Sequence, residues 1–378
     1  MAKLRVQYPT FVLPTAATFG TGSIRALAEL DSLAETVFFL SASAPVREHV
    51  CSRFAKSGVD FAKLRTVEKP QGEPSRDMIR EGAARLADAP YQRLVAIGGG
   101  SVMDWARLAW AESRGLLGPE GPLDALRSAR RREPELWLVP TTCATGAEAT
   151  GVAVYAGKDG LVPVVAAAFV ADRVVLDGAF LAGADPARVA LWLCDALSHA
   201  VEAYLSIVPG RLARVAALSA LTSILEEHAE TPTASRNERL MEAAYLAGVA
   251  VGNCSVGVIH AFAHTLSRYG VAHAAGNALG LAAGLEANAT APASEELWRR
   301  AGAASLDDLI ARLCRVVRGA AGRTSGALVA DLLRDSSTRE RIRECMAADP
   351  CLRSNPLPLS RGALDRFLDR ALEAAASA

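Results

Sequence analysis

The chain has 378 residues, 51% hydrophobic and 22% charged, and its 41 basic residues balance its 41 acidic ones. That length exceeds what one core usually serves and predicts two domains, while zero net charge gives no electrostatic case for nucleic acid or an anionic membrane. No window reaches the roughly 18 unbroken apolar residues of a membrane span, and no signal-peptide hydrophobic run follows Met1.

In chain order, residues 11–21 predict a short strand or hairpin ending at Gly20-Thr21-Gly22, and Ser23 can cap a helix reaching residue 30. Residues 37–40 form an apolar run, followed by a turn at 41–45 and a helix. A turn and strand over 60–67, a helix over 75–87, a strand over 93–97, a helix over 102–111 and a strand over 136–140 follow. Strands alternating with helices predict a parallel, wound α/β sheet. The charged stretch 127–135 reads as a surface loop. After about Leu181 the spacing predicts helices over 187–205, 211–228, 236–250, 256–268, 280–288, 295–304, 306–317, 325–333 and 361–375, with no strand. The expected division is an α/β domain over 1–180 and an all-helical domain over 181–378, punctuated by Asp177-Gly178 and Asp185-Pro186. Seven scattered cysteines, an odd number with no C-x-x-C pair, read as reduced thiols and a cytoplasmic protein.

Five of the six histidines lie between residues 195 and 273, and four of them, His199, His260, His264 and His273, stand in two clusters. His199 follows Asp195 by four residues, and His264 follows His260 by four, so each pair shares a helix face. The flanks, Leu191-Trp192-Leu193 and Val256-Gly257-Val258-Ile259, are apolar. One such histidine alone reads as a satisfied core residue. A carboxylate and several imidazoles in two spaced clusters read better as a metal site, because unpartnered buried polar groups are costly. Neutral imidazole with carboxylate suits Zn²⁺ or Fe²⁺, and no cysteine pair nearby supports a structural thiolate site.

Two loops follow strands. Gly98-Gly99-Gly100-Ser101 stands between a strand and a helix, where glycines let the backbone approach a pyrophosphate and a helix N-terminus offers free N–H groups. It lacks the G-x-G-x-x-G spacing and by itself also fits a tight turn. Pro140-Thr141-Thr142-Cys143-Ala144-Thr145 supplies hydroxyls after the next strand. Two such loops at the carboxyl ends of neighbouring strands favour a nucleotide site over two capped turns.

With these residues in view, the sequence resembles the iron-containing (group III) alcohol dehydrogenases of the dehydroquinate synthase-like superfamily, over most of its length. Residues 98–104 resemble the family's GGGSxxD, and 140–148 its PTTxxTGSE with Ala147 at the serine. Residues 195–203 resemble its DALTHAIEA, and His260–His264 with His273–Ala278 its HxxxH and PHGxxNA. The resemblance implies a Rossmann-like α/β nucleotide domain and an all-α metal domain. It implies metal ligands at Asp195, His199, His260 and His273, with Fe²⁺ favoured over Zn²⁺. It places His264 beside the nicotinamide near the substrate, so His264 and Asp195 are the expected catalytic residues. It implies NAD(P) over Gly98, Gly99, Gly100, Ser101, Thr141, Thr142 and Thr145, with Asp104 near the cofactor. In such an enzyme the metal polarises the substrate oxygen while the nicotinamide carries hydride.

The departures bear on the ligands. Ala272 and Ala274 replace the proline and glycine around the last histidine, and the loop before it is one residue shorter. Arg107 stands where a lysine is common, and Lys158 is the only lysine near the one that usually follows the PTT motif. Ser41-Ala42-Ser43 replaces an aspartate that holds the ribose of NAD, so a 2′-phosphate meets no repulsion and NADP is favoured. The expected partner is a small aldehyde or alcohol, with no nucleic acid or membrane, in a homodimer. Arg268, between His264 and His273, fits either a solvated helix end or a contact to an anionic aldehyde. The competing readings are a maleylacetate reductase-like enzyme, opposed by the full ligand set; a sugar-phosphate cyclase, opposed by the shortage of lysines; and a non-catalytic metal or nucleotide sensor.

Overall fold

The structure is a computed structural model that describes residues 11–118, 121–129, 133–158, 160–208, 210–320, 322 and 325–377. The N-terminal reading of residues 1–10 and the middle of the charged loop, 130–132, lie outside it.

Two apolar faces alternate along β2 (Thr36–Ser41). Val37 and Phe39 join one core, while Phe38 and Leu40 join another on the opposite side, as period-two geometry requires. A strand buried on both faces belongs in a sheet covered on both sides. Its companions are β1 (Ala16–Phe19), β3 (Arg65–Lys69), β4 (Arg93–Gly98), β7 (Glu135–Pro140) and β10 (Arg173–Leu176). They form one parallel sheet in the order β1-β10-β7-β4-β2-β3. Outside it stand a short ribbon, β5 (Leu117–Gly118) with β6 (Gly121–Pro122), and a hairpin, β8 (Val152–Gly157) with β9 (Gly160–Val165).

The helices among these strands are α1 (Arg25–Ala28), α2 (Ala44–Lys56), α3 (Arg76–Ala87), α4 (Gly100–Ser113) and α5 (Asp124–Ser128). Ser75 starts α3 by accepting from Met78 N–H at 3.2 Å. α4 is buried from Val102 through Ala111. Its Trp105 packs edge-on to Phe39 and donates to Met78 O at 2.6 Å, tying α3 to α4. Arg107, 1% exposed, donates to Ala147 O, to Thr150 O and to Asp104. That buried cation is held by carbonyls and a carboxylate, so it works as an internal brace.

The second half runs α6 (Pro186–Leu205), α7 (Arg211–Glu227), α8 (Ala234–Cys254), α9 (Val258–Ser267), α10 (His273–Ala287), α11 (Pro292–Arg300), α12 (Leu306–Gly319), α13 (Gly326–Arg334), α14 (Ser336–Ala348) and α15 (Arg361–Ala376). Among the described residues no strand follows β10. Asp185 caps α6 by accepting from Ala187 N–H, and Pro186 takes the first helical position. Two glycines seat this half on the sheet. Gly146, at φ +58°, and Gly248 in α8 approach so closely that a Cβ on Gly248 would lie 2.3 Å from Gly146 O. Among the described residues no single helix is long and apolar enough to cross a membrane; α8 and α9 meet that length and composition only as a pair, across a 99° bend.

The sequence spacing gives the α/β order and the helical second half but not β5, β6, α5, β8, β9, β10 or α14, and the expected loop 127–135 begins inside α5 and ends in β7. β10 has four residues, and Pro163 interrupts the alternation in β9. α14 is largely polar, so its apolar period is faint. α10 begins at His273 and not at residue 280, because Ala274, Ala275 and Gly276 give no amphipathic signal.

Candidate metal centre and active site

α6 presents Asp195 and His199 on one face, with Glu202 a turn further along it. α9 presents His260 and His264, and the first turn of α10 presents His273 and Asn277. One donor atom each from Asp195, His260 and His273 lies within 4.8 Å of the others. The His199 ring stacks on His260 with centroids 4.6 Å apart.

A layer of partners orients these groups. Glu202 accepts from His260 Nδ1 at 2.7 Å and from Ile259 N–H at 2.5 Å, so His260 Nε2 is the ring nitrogen turned toward Asn277 Nδ2, at 3.4 Å, and left to ligate a cation. Asn277 donates to Asp195 Oδ1 at 2.7 Å. Burial holds His199 and His260 below the ordinary histidine value and brings His273 down to about 4, so all three keep lone pairs at neutral pH. Burial also pushes Glu202 up to about 8.

Three buried polar atoms here lack hydrogen-bond partners: His199 Nδ1, His273 Nδ1 and Asn277 Oδ1. Orphaned atoms beside converging neutral imidazoles and a carboxylate fit a divalent cation such as Fe²⁺ or Zn²⁺. His264 stands beside this set and is more open. Its ring stacks on His273 at 5.4 Å, and its Nδ1 meets Asp349 Oδ2 at 3.1 Å.

The two loops expected to hold a nucleotide are brought together, since Gly98 and Pro140 are register partners in β4 and β7. Gly99 caps α4, and a Cβ there would meet only the Thr142 side chain, at 3.6 Å. A Cβ on Gly100 would collide with Thr145 at 2.7 Å. Thr141 N–H bonds Gly98 O, and Ser101 lies in the first turn of α4. Ser41 ends β2 and accepts from Ser43 N–H at 3.3 Å. Asp104 spends both oxygens on protein: one on Arg107 at 2.6 Å, the other on Val154 N–H at 3.1 Å. Glu73 lies in the loop before α3. Desolvation by the surrounding protein and then the charges of Asp104 and Asp195 push its carboxyl up, although the residue keeps an exposed surface. Arg268 is exposed, against Gly160 of the hairpin and within 3.6 Å of Cys345 Sγ. Lys158 lies at that hairpin's turn.

Sequence motifs alone assign Glu202 and Asn277 no role, although Asp195, His199 and Glu202 follow the i, i+4, i+7 spacing of one helix face. Asp349 and Cys351 gave no signal, because the fold joins them to His264 from 85 and 87 residues away.

Two family models match: iron-containing alcohol dehydrogenase over residues 14–178, and the C-terminal region of the same family over residues 191–355. The chain belongs to the iron-containing alcohol dehydrogenase family. Sulfoacetaldehyde reductase of Bilophila wadsworthia is 31% identical over 208 residues, 52% of this chain and 52% of that protein. The 4-hydroxybutyrate dehydrogenase of Clostridium kluyveri is 30% identical over 221 residues, 55% of this chain and 58% of that protein. The chain thus matches little more than half the length of these relatives. Among solved structures, sulfoacetaldehyde reductase from Bifidobacterium kashiwanohense in complex with NAD⁺ shares the fold with a TM-score of 0.83 at 20% identity, over 97% of this chain and 99% of that one. The iron-containing alcohol dehydrogenase from Thermococcus thioreducens does so at 0.81 and 23% identity, over 96% and 100%.

Proposed function

We propose that this chain is a divalent-metal-dependent, nicotinamide-linked alcohol dehydrogenase that reduces short aldehydes. The observation that carries the reading is the convergence of Asp195, His260 and His273, with Glu202 and Asn277 holding two of them in place. Asp195, His199, His260 and His273 would hold the cation. When bound, the ion supplies Lewis acidity and the nicotinamide carries the hydride.

This chain's own residues position and protonate. Gly98, Gly99, Gly100 and Ser101 leave backbone open to a pyrophosphate at the N-terminus of α4. Thr141, Thr142 and Thr145 line the facing loop. Asp104 acts from behind, bracing α4 against Val154 of the hairpin. His264, a third exposed, exchanges the proton with the substrate oxygen. Ser41, where a carboxylate would repel a 2′-phosphate, favours NADP(H). Fe²⁺ over Zn²⁺ follows the family's description. A division near residue 180 fits a sheet ending at Leu176 and a first long helix starting at Pro186. A cytoplasmic setting fits seven unpaired cysteines. A homodimer would cover the exposed Ile207, Leu212 and Val215.

The names of the two relatives, acting on sulfoacetaldehyde and 4-hydroxybutyrate, make an anionic short aldehyde the first substrate to try. Arg268 sits at the surface and is not part of that proposal. The test is NADPH and NADH consumption with neutral, sulfonate-bearing and carboxylate-bearing aldehydes, alongside metal analysis. Turnover that follows metal content supports the reading, and Ser41→Asp should shift preference toward NADH. Metal-replete protein that turns over no aldehyde would refute it.

A further inference from the structure

Asp349 stands where the chain leaves α14, and it caps the short 3-10 turn Pro350–Arg353. Its Oδ1 accepts from Cys351 N–H at 2.8 Å, and its Oδ2 meets His264 Nδ1 at 3.1 Å. The backbone bond fixes the carboxylate independently of the imidazole. Burial opposes charge on Asp349, but the bonds from His264 and Cys351 outweigh it and hold the carboxyl below its ordinary value. An ionised carboxylate only accepts, so the proton of neutral His264 belongs on Nδ1 and Nε2 is left bare. The plane of the ring is set as well. It stacks on His273 at 23° and stands edge-on to His260 at 6.0 Å.

Building on the dehydrogenase reading, we infer that Asp349 is the positioning residue of the site, fixing the tautomer and plane of His264 so that Nε2 serves as the proton port. In alcohol oxidation the O–H bond breaks and its proton passes to Nε2, while the hydride leaves carbon for the oxidised nicotinamide. In reduction the N–H bond at Nε2 breaks and the product O–H forms. Asp349 does not touch substrate; it acts through His264, as a carboxylate does behind an imidazole in other proton-transfer pairs. The same three residues, His264, Asp349 and Cys351, also bring donor atoms within 4.8 Å of one another. A cation held there would occupy Nδ1 and replace the proton, so the two uses exclude each other.

Nitrogen NMR of histidine-labelled, zinc-loaded protein reads the tautomer directly. The wild type should show His264 protonated on Nδ1 and bare on Nε2, and Asp349→Ala should lose that preference. Asp349→Ala should retain its zinc and lower kcat by about 10–100-fold, with KM for the aldehyde changed far less. In a His264→Ala background the same substitution should cost almost nothing more, because the two act as one unit. An Nε2–H tautomer in the wild type would overturn the inference. So would an equal loss in both backgrounds, or a zinc equivalent that disappears with Asp349. If Asp349 sets the tautomer in a chain that consumes no reduced nicotinamide with any aldehyde, the dehydrogenase reading falls and the tautomer assignment stands.

Discussion

Glu202→Ala removes two hydrogen-bond acceptors from a dry place. The side chain accepts from Ile259 N–H at 2.5 Å and from His260 Nδ1 at 2.7 Å, and Glu202, Ile259 and His260 are all buried. Each orphaned donor costs about 1–3 kcal/mol, so the variant should lose about 2–6 kcal/mol of stability. Losing the partner that sets a ligating histidine should also weaken cation binding by about 10–100-fold. Urea unfolding in excess chelator measures the first effect with no ion present. Competition between the protein and a coloured chelator for zinc measures the second. Glu202→Gln keeps an acceptor for one of the two donors and should fall between wild type and Ala on both scales. A Glu202→Ala chain with an unchanged urea midpoint and unchanged zinc affinity would refute the assignment of Glu202 as the support of His260.

Further outcomes follow from other contacts. Gly248→Ala sets a Cβ 2.3 Å from Gly146 O, backbone against backbone, and should cost at least about 3 kcal/mol in chemical denaturation. Arg268→Ala should change aldehyde turnover by less than about twofold for neutral and anionic substrates alike, since the side chain is exposed against the hairpin. Glu148 is buried, and desolvation pushes its carboxyl up to about 7 from an ordinary 4.5. A carboxyl raised in the folded state contributes stability below its unfolded value and loses it as pH climbs through the folded one. Glu148→Gln should therefore gain on the wild type between about pH 4.5 and 7, levelling near about 3 kcal/mol, measured as a series of urea midpoints.

What the sequence made legible follows from what is local. The four-residue spacings of Asp195 with His199 and of His260 with His264 are properties of single helices, and they fall on α6 and α9. The glycine and threonine loops were legible because each follows a strand directly, and β4 and β7 are neighbours. The illegible parts depend on distance along the chain. Nothing near Asp349 announces His264, and nothing near Arg268 announces that hairpin β8–β9 takes it to the surface. The hairpin itself was hidden by Pro163, which breaks the alternation of β9 although both strands are six residues long. Asp104 sat in a glycine-loop motif and was expected near the cofactor, yet its oxygens are engaged by Arg107 and Val154 N–H. A motif conveys a residue's position along the chain but not which of its atoms are already spoken for.

The most direct measurement is anomalous diffraction from crystals of the purified protein, collected on either side of the iron and zinc absorption edges. The account predicts a single peak within about 2.0–2.3 Å of donor atoms from Asp195, His199, His260 and His273. No peak there, or one seated instead among His264, Asp349 and Cys351, would contradict it.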